Sequence, residues 1–274
     1  MHKIVHNDLE LYYSKTGNGD KAILCFHGHG KNHEDFKSWT SFLQEYTVYS
    51  FDLFGHGKSA IPEERIPKAP ISLEEFKSLI SQFLENEQLE KVTLLGYSLG
   101  GKMALQVFQE FPEIIEKMLL LAPDGLKEIG WYTKTSNIGW IQRLYKRTID
   151  RPVWFFKFIR VLRFFRILPL GLYKFLQYQF ANKQRRIDSY TTWCFYRNLF
   201  PVHKKLKMQF EKHPISFQVI LGKYDRVIKT KFGGYFRDKV YPNTKIEELP
   251  IGHDFFKPKN LDMTQSTIMK SNYL

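Results

Sequence analysis

Val92-Thr93-Leu94-Leu95-Gly96-Tyr97-Ser98-Leu99-Gly100-Gly101 is the stretch on which the reading of this chain turns. Its first four residues form a short apolar run of the kind that makes a buried strand. The next five spell G-x-S-x-G, and from Leu99 to Phe111 the pattern is helical until Pro112 ends it. A strand that becomes a helix at once holds the serine in a tight, strained bend with its hydroxyl exposed. The glycines let strand and helix approach closely. The start of the helix also points free backbone N–H groups and a positive dipole end at the same place, which suits a developing oxyanion. Alone the pattern is weak, because a solvated serine in a glycine-rich loop arises by chance in many sequences.

Three other strand ends agree with it. Ala22-Ile23-Leu24-Cys25-Phe26 is an apolar run that stops at His27-Gly28-His29-Gly30. The run over 215–221 leads into Gly222-Lys223-Tyr224-Asp225, and the run over 245–249 leads into Ile251-Gly252-His253-Asp254. Functional groups of open parallel sheets gather beyond the carboxyl ends of their strands. A serine hydroxyl is a weak nucleophile at neutral pH and needs a base beside it. These residues therefore define a candidate site: Ser98 as nucleophile, His253 as general base, and Asp225 as the acid that orients the imidazole. The backbone N–H groups of His29 and Leu99 are the candidate oxyanion donors. Such a site uses no cofactor. His27, His29 and His33 share a loop without acidic ligands in a metal pattern, so no metal is expected.

Elsewhere strands and helices alternate. Residues 4–14 suggest a hairpin, 47–51 and 118–122 further strands, and 35–44 and 229–239 helices. Ser72 with Glu75 makes a capping-box pattern at another helix start. This alternation calls for an α/β fold with a mostly parallel central sheet and helices on both faces. A chain of 274 residues with 43% hydrophobic content can bury such a core. The two cysteines, Cys25 and Cys194, fit no metal or redox spacing, and that usage fits a reducing compartment. Met1 to Glu10 carries no apolar core of signal-peptide length. No stretch reaches the ~18 apolar residues of a membrane span. A soluble, cytoplasmic protein is expected.

The charge is uneven. Of the net +13, residues 126–212 hold 19 Lys and Arg against four Asp and Glu. Such asymmetry points to an anionic lipid surface, a nucleic acid or an acidic substrate. Within the segment, residues 155–166 read as a helix in which Phe158, Val161, Leu162 and Phe165 form a core-facing stripe. Lys157, Arg160, Arg163 and Arg166 wind across the other half, with Phe156, Ile159 and Phe164 among them. That second face is either sandwiched between other helices, with arginine stems covering apolar surface, or rests peripherally on an anionic membrane.

With these motifs in place the chain resembles the α/β-hydrolase family over nearly everything but the basic segment. The resemblance extends to Phe51-Asp52-Leu53-Phe54-Gly55-His56-Gly57-Lys58-Ser59, similar to the D-x-x-G-x-G-x-S turn of many members, which is structural there. It implies a hydrolase core over 1–125 and 213–274, and a helical cap over the active site from the insertion at 126–212. It also implies an alternative acid, since some members place theirs where Asp124 lies, in Ala122-Pro123-Asp124-Gly125. Asp225 fits the commoner arrangement, and Asp124 otherwise reads as a turn residue. One departure is that Pro258, so near Leu274, leaves little room for a long final helix.

Three classes of function follow. The first is a serine hydrolase of carboxylic esters or thioesters, of the esterase, thioesterase or lipase kind, with a small-molecule substrate whose hydrophobic acyl group is suggested by the aromatic insertion. The second is an acyltransferase or lyase-like member with the same three residues. The third is a non-catalytic lipid- or nucleic-acid-binding protein. Simple binding needs no Ser, Asp and His at three strand ends, and none of the usual nucleic-acid motifs occurs, so no nucleic-acid partner is expected.

Overall fold

The strand over Val92–Tyr97 is buried at every position, as a central parallel strand covered on both faces must be. It and the rest of the fold are seen in a computed structural model that describes residues 1–128 and 135–270, and only the backbone of Phe175 and Gln179. The eight strands are β1 (His2–His6), β2 (Leu9–Thr16), β3 (Lys21–Phe26), β4 (Tyr46–Phe51), β5 (Val92–Tyr97), β6 (Ile115–Leu121), β7 (Ser216–Gly222) and β8 (Lys245–Leu249). They form one sheet in the order β1-β2-β4-β3-β5-β6-β7-β8. The pairings β1–β2 and β2–β4 are antiparallel, and all the others are parallel.

Alternation along the strands sorts the core into two layers. Ile23 and Cys25, Leu95 and Tyr97, and Leu119 and Leu121 point to one face, packing with Phe36, Trp39, Phe255 and Ile268. On the other face, helix α1 (Leu73–Asn86) brings Phe83 against Tyr49 and Phe51, at ring separations of 5.3 and 4.8 Å. The capping box of α1 forms, with Ser72 Oγ accepting from the Glu75 N–H and Glu75 accepting from the Ser72 N–H. Helix α2 (Leu99–Glu110) is buried at every position but the last.

Four elements differ from their sequence patterns. Residues 35–44 are not an α-helix: a 3-10 helix covers His33–Trp39, capped by Asn32, whose side chain accepts from the Glu34 N–H. Its buried residues Phe36 and Trp39 are three apart, the spacing that a 3-10 turn stacks. The end of the chain does find room for a helix, over Pro258–Lys270. Pro258 starts it instead of blocking it, since a first-turn proline lacks only an N–H that would have no partner there. Leu274 lies outside the described residues.

The chain divides into two compact units, residues 1–60, 72–128 and 199–274, and residues 61–71 and 129–198. These bounds differ from the 126–212 insertion at both ends. Helix α7 (His203–Lys212) packs in the first unit, with Phe210 4.3 Å from Phe108 and 5.5 Å from Phe217 between ring centres. Residues 61–71 join the second unit because the Ile71 N–H donates to the Phe195 carbonyl and Arg197 Nη2 donates to the Lys68 carbonyl. That unit holds α3 (Gly139–Asp150), α4 (Val153–Phe164), α5 (Leu170–Gln179) and α6 (Lys183–Phe195). Its small core is Ile149, Tyr190 and Cys194, edged by Tyr145, Ile187, Trp193 and Ile66. Buried Arg186 ties helix ends together, Nε donating to Ile149 O at 3.0 Å and Nη1 to Phe180 O at 2.9 Å. Residues 129–134 of the insertion lie outside the described residues.

The fourth difference is in α4. Of the expected core-facing stripe, Phe158, Val161 and Phe165 are each more than half exposed, and Leu162 is partly buried. Ile159, expected among the cations, is the buried residue. Among the described residues no helix is long and apolar enough to cross a membrane.

Candidate active site

Ser98 sits between β5 and α2 with φ of 50° and ψ of −115°, a conformation that side-chain-bearing residues rarely adopt. The bend is held by the Ser98 N–H donating to Leu121 O at 3.0 Å and by the Asp124 N–H donating to Ser98 O at 2.8 Å. Close approach explains the flanking glycines. A β-carbon on Gly100 would collide with the Phe26 carbonyl, and one on Gly96 would come within 2.7 Å of the Gly100 carbonyl oxygen.

Strand order then assembles what sequence keeps apart. Ser98 Oγ lies 2.9 Å from His253 Nε2, and His253 Nδ1 lies 2.7 Å from Asp225 Oδ2. A carboxylate only accepts, so Nδ1 carries the proton and Nε2 is left to accept from the serine hydroxyl. The Asp225 side chain has no exposed surface, while that of His253 is one-quarter exposed. The second oxygen of Asp225 accepts from the Val227 and Ile228 N–H groups at 2.7 and 2.9 Å, which locks the carboxylate in place.

Asp124 is placed otherwise. Its carboxylate accepts from the Gly125 N–H at 2.8 Å and so closes its own turn, while the imidazole bonds to Asp225. Leu99 opens α2, where its N–H has no acceptor within the helix. His29 follows Gly28, which is packed so tightly that a β-carbon there would meet the Tyr97 ring at 2.7 Å and Ser98 Cβ at 3.3 Å.

The loop histidines are structural neighbours of the site. His27 is fully buried, with Nδ1 donating to Gly28 O at 2.7 Å and Nε2 accepting from the Leu53 N–H at 3.0 Å. Burial, then the nearby His56 ring, pushes the His27 imidazole down to about 3 and that of His29 to about 4. Both rings are therefore neutral near pH 7. Buried Asp52 accepts from the His33 and Lys58 N–H groups and from His33 Nδ1, at 2.9, 2.8 and 2.8 Å. Burial works to raise this carboxyl, but those donors outweigh it and hold it below the usual range. Asp52 thus serves as the clasp of its turn. No group of three His, Cys, Asp or Glu suited to a metal ion occurs among the described residues.

One contributor is invisible to motif reading. The Tyr97 hydroxyl donates to the His253 carbonyl at 2.9 Å, and the two rings lie 5.5 Å apart. In the sequence Tyr97 is merely the variable position of G-x-S-x-G. Its one signal is an aromatic residue with a polar tip in a run otherwise apolar.

Fold and site define a class. The alpha/beta hydrolase fold family matches residues 21–259, and the chain belongs to that family. A 118-residue stretch is 33% identical to an uncharacterized protein of Mycobacterium tuberculosis, over 43% of this chain and 31% of that protein. The chain thus matches about a third of that relative's length. It is also 25% identical over 229 residues to putative esterase/lipase 3 of Mycoplasma pneumoniae, over 82% of this chain and 76% of that one. Among solved structures it is similar to MGS-M2, an alpha/beta hydrolase enzyme from a Medee basin deep-sea metagenome library. The TM-score is 0.70 at 15% identity, covering 98% of this chain and 96% of that one, a likeness of fold.

Proposed function

We propose that this protein is a serine hydrolase that cleaves a carboxylic ester or thioester with a hydrophobic acyl group, through an acyl-enzyme. The observation that carries the reading is the unbroken hydrogen-bonded chain from Ser98 Oγ through His253 to Asp225, at 2.9 and 2.7 Å. As Oγ bonds to the substrate carbonyl carbon, its proton passes to His253 Nε2. The imidazolium so formed is stabilised by Asp225 through Nδ1. The carbonyl oxygen becomes an oxyanion held by the Leu99 and His29 N–H groups, and one such donor contributes ~3 kcal/mol. Collapse breaks the bond to the leaving oxygen or sulfur, which takes the proton from Nε2. Water then attacks the acyl carbon while giving a proton to Nε2. The second collapse returns that proton to Ser98 Oγ and releases the acid.

The similarity to a putative esterase/lipase supports an ester substrate. The density of Phe, Tyr and Trp within residues 139–196 supports a hydrophobic acyl group. The test pairs a fluorophosphonate probe with p-nitrophenyl esters graded from acetyl to decanoyl. Labelling at Ser98 is expected, with kcat/KM rising along the series. Labelling without hydrolysis of any ester would overturn the hydrolytic reading.

A further inference from the structure

The exposed side of α4 is apolar and cationic at once. With about 100° between successive residues, Val153, Phe158, Val161, Phe164 and Phe165 fall in one arc of about 160°, together with Lys157 and Arg160. Ile159, buried, points the opposite way. Phe164 is 80% exposed, Phe158 53%, and Ile167 just beyond the helix 68%. Soluble proteins rarely leave large apolar side chains grouped in this way without something that covers them. Around the group, residues 151–187 contain nine Lys and Arg and no Asp or Glu.

We propose that this face of the second unit docks on an anionic lipid surface. Phe158, Val161, Phe164 and Ile167 would enter the boundary between headgroups and acyl chains, and Lys157, Arg160 and Arg166 would meet the headgroup phosphates. Charge selects this occupant. Of the nine, Arg186 is buried and Lys183 pairs with Asp150, but the seven others, with no carboxylate among them in sequence, repel a second copy of themselves and favour a polyanionic surface. The aliphatic members Val153, Val161 and Ile167 have no base to stack upon and suit hydrocarbon, which favours lipid over nucleic acid. Long arginine and lysine stems reach from the apolar level to the phosphates. The proposal does not depend on the hydrolase reading, because it uses no residue of the Ser98 site.

The experiment is cosedimentation of the full chain with vesicles of phosphatidylcholine alone, or of phosphatidylcholine with phosphatidylglycerol, at low and high salt. Two variants accompany it: Lys157→Gln/Arg160→Gln/Arg166→Gln and Phe158→Ser/Phe164→Ser. All five positions are exposed, and circular dichroism melts verify that both variants fold. The wild-type chain is expected to pellet with the anionic vesicles at low salt. The charge variant is expected to bind them about a hundredfold more weakly and the phenylalanine variant about tenfold, and high salt to mimic the charge variant. Wild-type protein left in the supernatant with anionic vesicles at low salt would overturn the proposal. So would undiminished binding of the phenylalanine variant, or retention by a single-stranded RNA without binding to vesicles.

Discussion

The Tyr97 hydroxyl donates to the backbone carbonyl of His253 at 2.9 Å, joining residues 156 positions apart in the chain. Tyr97 immediately precedes Ser98, so the strand that presents the serine also holds the loop that presents its histidine. The buried phenol ring lies tilted against the imidazole, and burial pushes its hydroxyl up, so it stays protonated as a donor. Tyr97→Phe removes that single bond. It should cost about 1–2 kcal/mol of stability by stranding the carbonyl. It should also lower kcat about tenfold with KM little changed, because a drifting imidazole impairs chemistry more than binding. Urea unfolding and steady-state kinetics on a soluble ester measure both, and an unchanged kcat would leave Tyr97 a packing residue.

Ser98 is held at a φ of 50°, where glycine is at ease and other residues are strained. Ser98→Ala should abolish fluorophosphonate labelling and leave the melting temperature nearly unchanged. Ser98→Gly should abolish labelling too, yet stabilise the fold by about 1 kcal/mol through release of backbone strain. A Gly variant less stable than the Ala variant would show that the bend stores no strain.

Two carboxylates compete for the role of acid, and they are now distinguishable by geometry. Asp225 accepts from His253 Nδ1, whereas Asp124 accepts from the N–H of Gly125. Asp225→Asn should lower turnover by roughly 10⁴-fold, because an amide that donates toward Nδ1 imposes the wrong tautomer. Asp124→Asn should change it less than about tenfold, since an amide oxygen can still close the turn. The reverse ranking, in kcat/KM for one ester, would move the acid to the end of β6.

Acid should weaken the fold through its loop histidines. Burial, and next the His56 ring, pushes His27 down to about 3 and His29 to about 4. The unfolded chain binds these protons near pH 6.5, so stability is full above that value and falls as pH drops toward the folded values. Between pH 7 and pH 5 the loss should approach about 2 kcal/mol for each histidine. His29→Gln should remove about half of it. Urea titrations at the two pH values test this, and a flat profile in the wild-type protein would refute it.

Much of the fold was legible because its signals are local. A run such as Leu94-Leu95 reads as a buried strand, Ser72 and Glu75 as a capping box, and Gly96 and Gly100 as points of close approach that only glycine permits. The candidate site was legible for a related reason, since Ser98, Asp225 and His253 each lie within four residues of the end of a strand. Pro258 misled because a proline looks alike whether it ends one helix or begins the next. The choice depends on whether residues such as Ile268 find a core to enter, and Ile268 does.

By itself, then, the sequence determined the strands and most of the helices, and which side chains stand near strand ends, because backbone sterics and side-chain periodicity act over a few residues. Tertiary structure alone decided which neighbours those segments have. It set β3 between β4 and β5, gave Asp225 rather than Asp124 to His253, and supplied the Tyr97 bond that no motif encodes. It also turned the apolar stripe of α4 outward. Periodicity reveals that a helix has an apolar face, but what covers that face depends on surfaces distant in the chain, and here Ile159 took the buried position while Phe158, Val161 and Phe165 were left facing solvent.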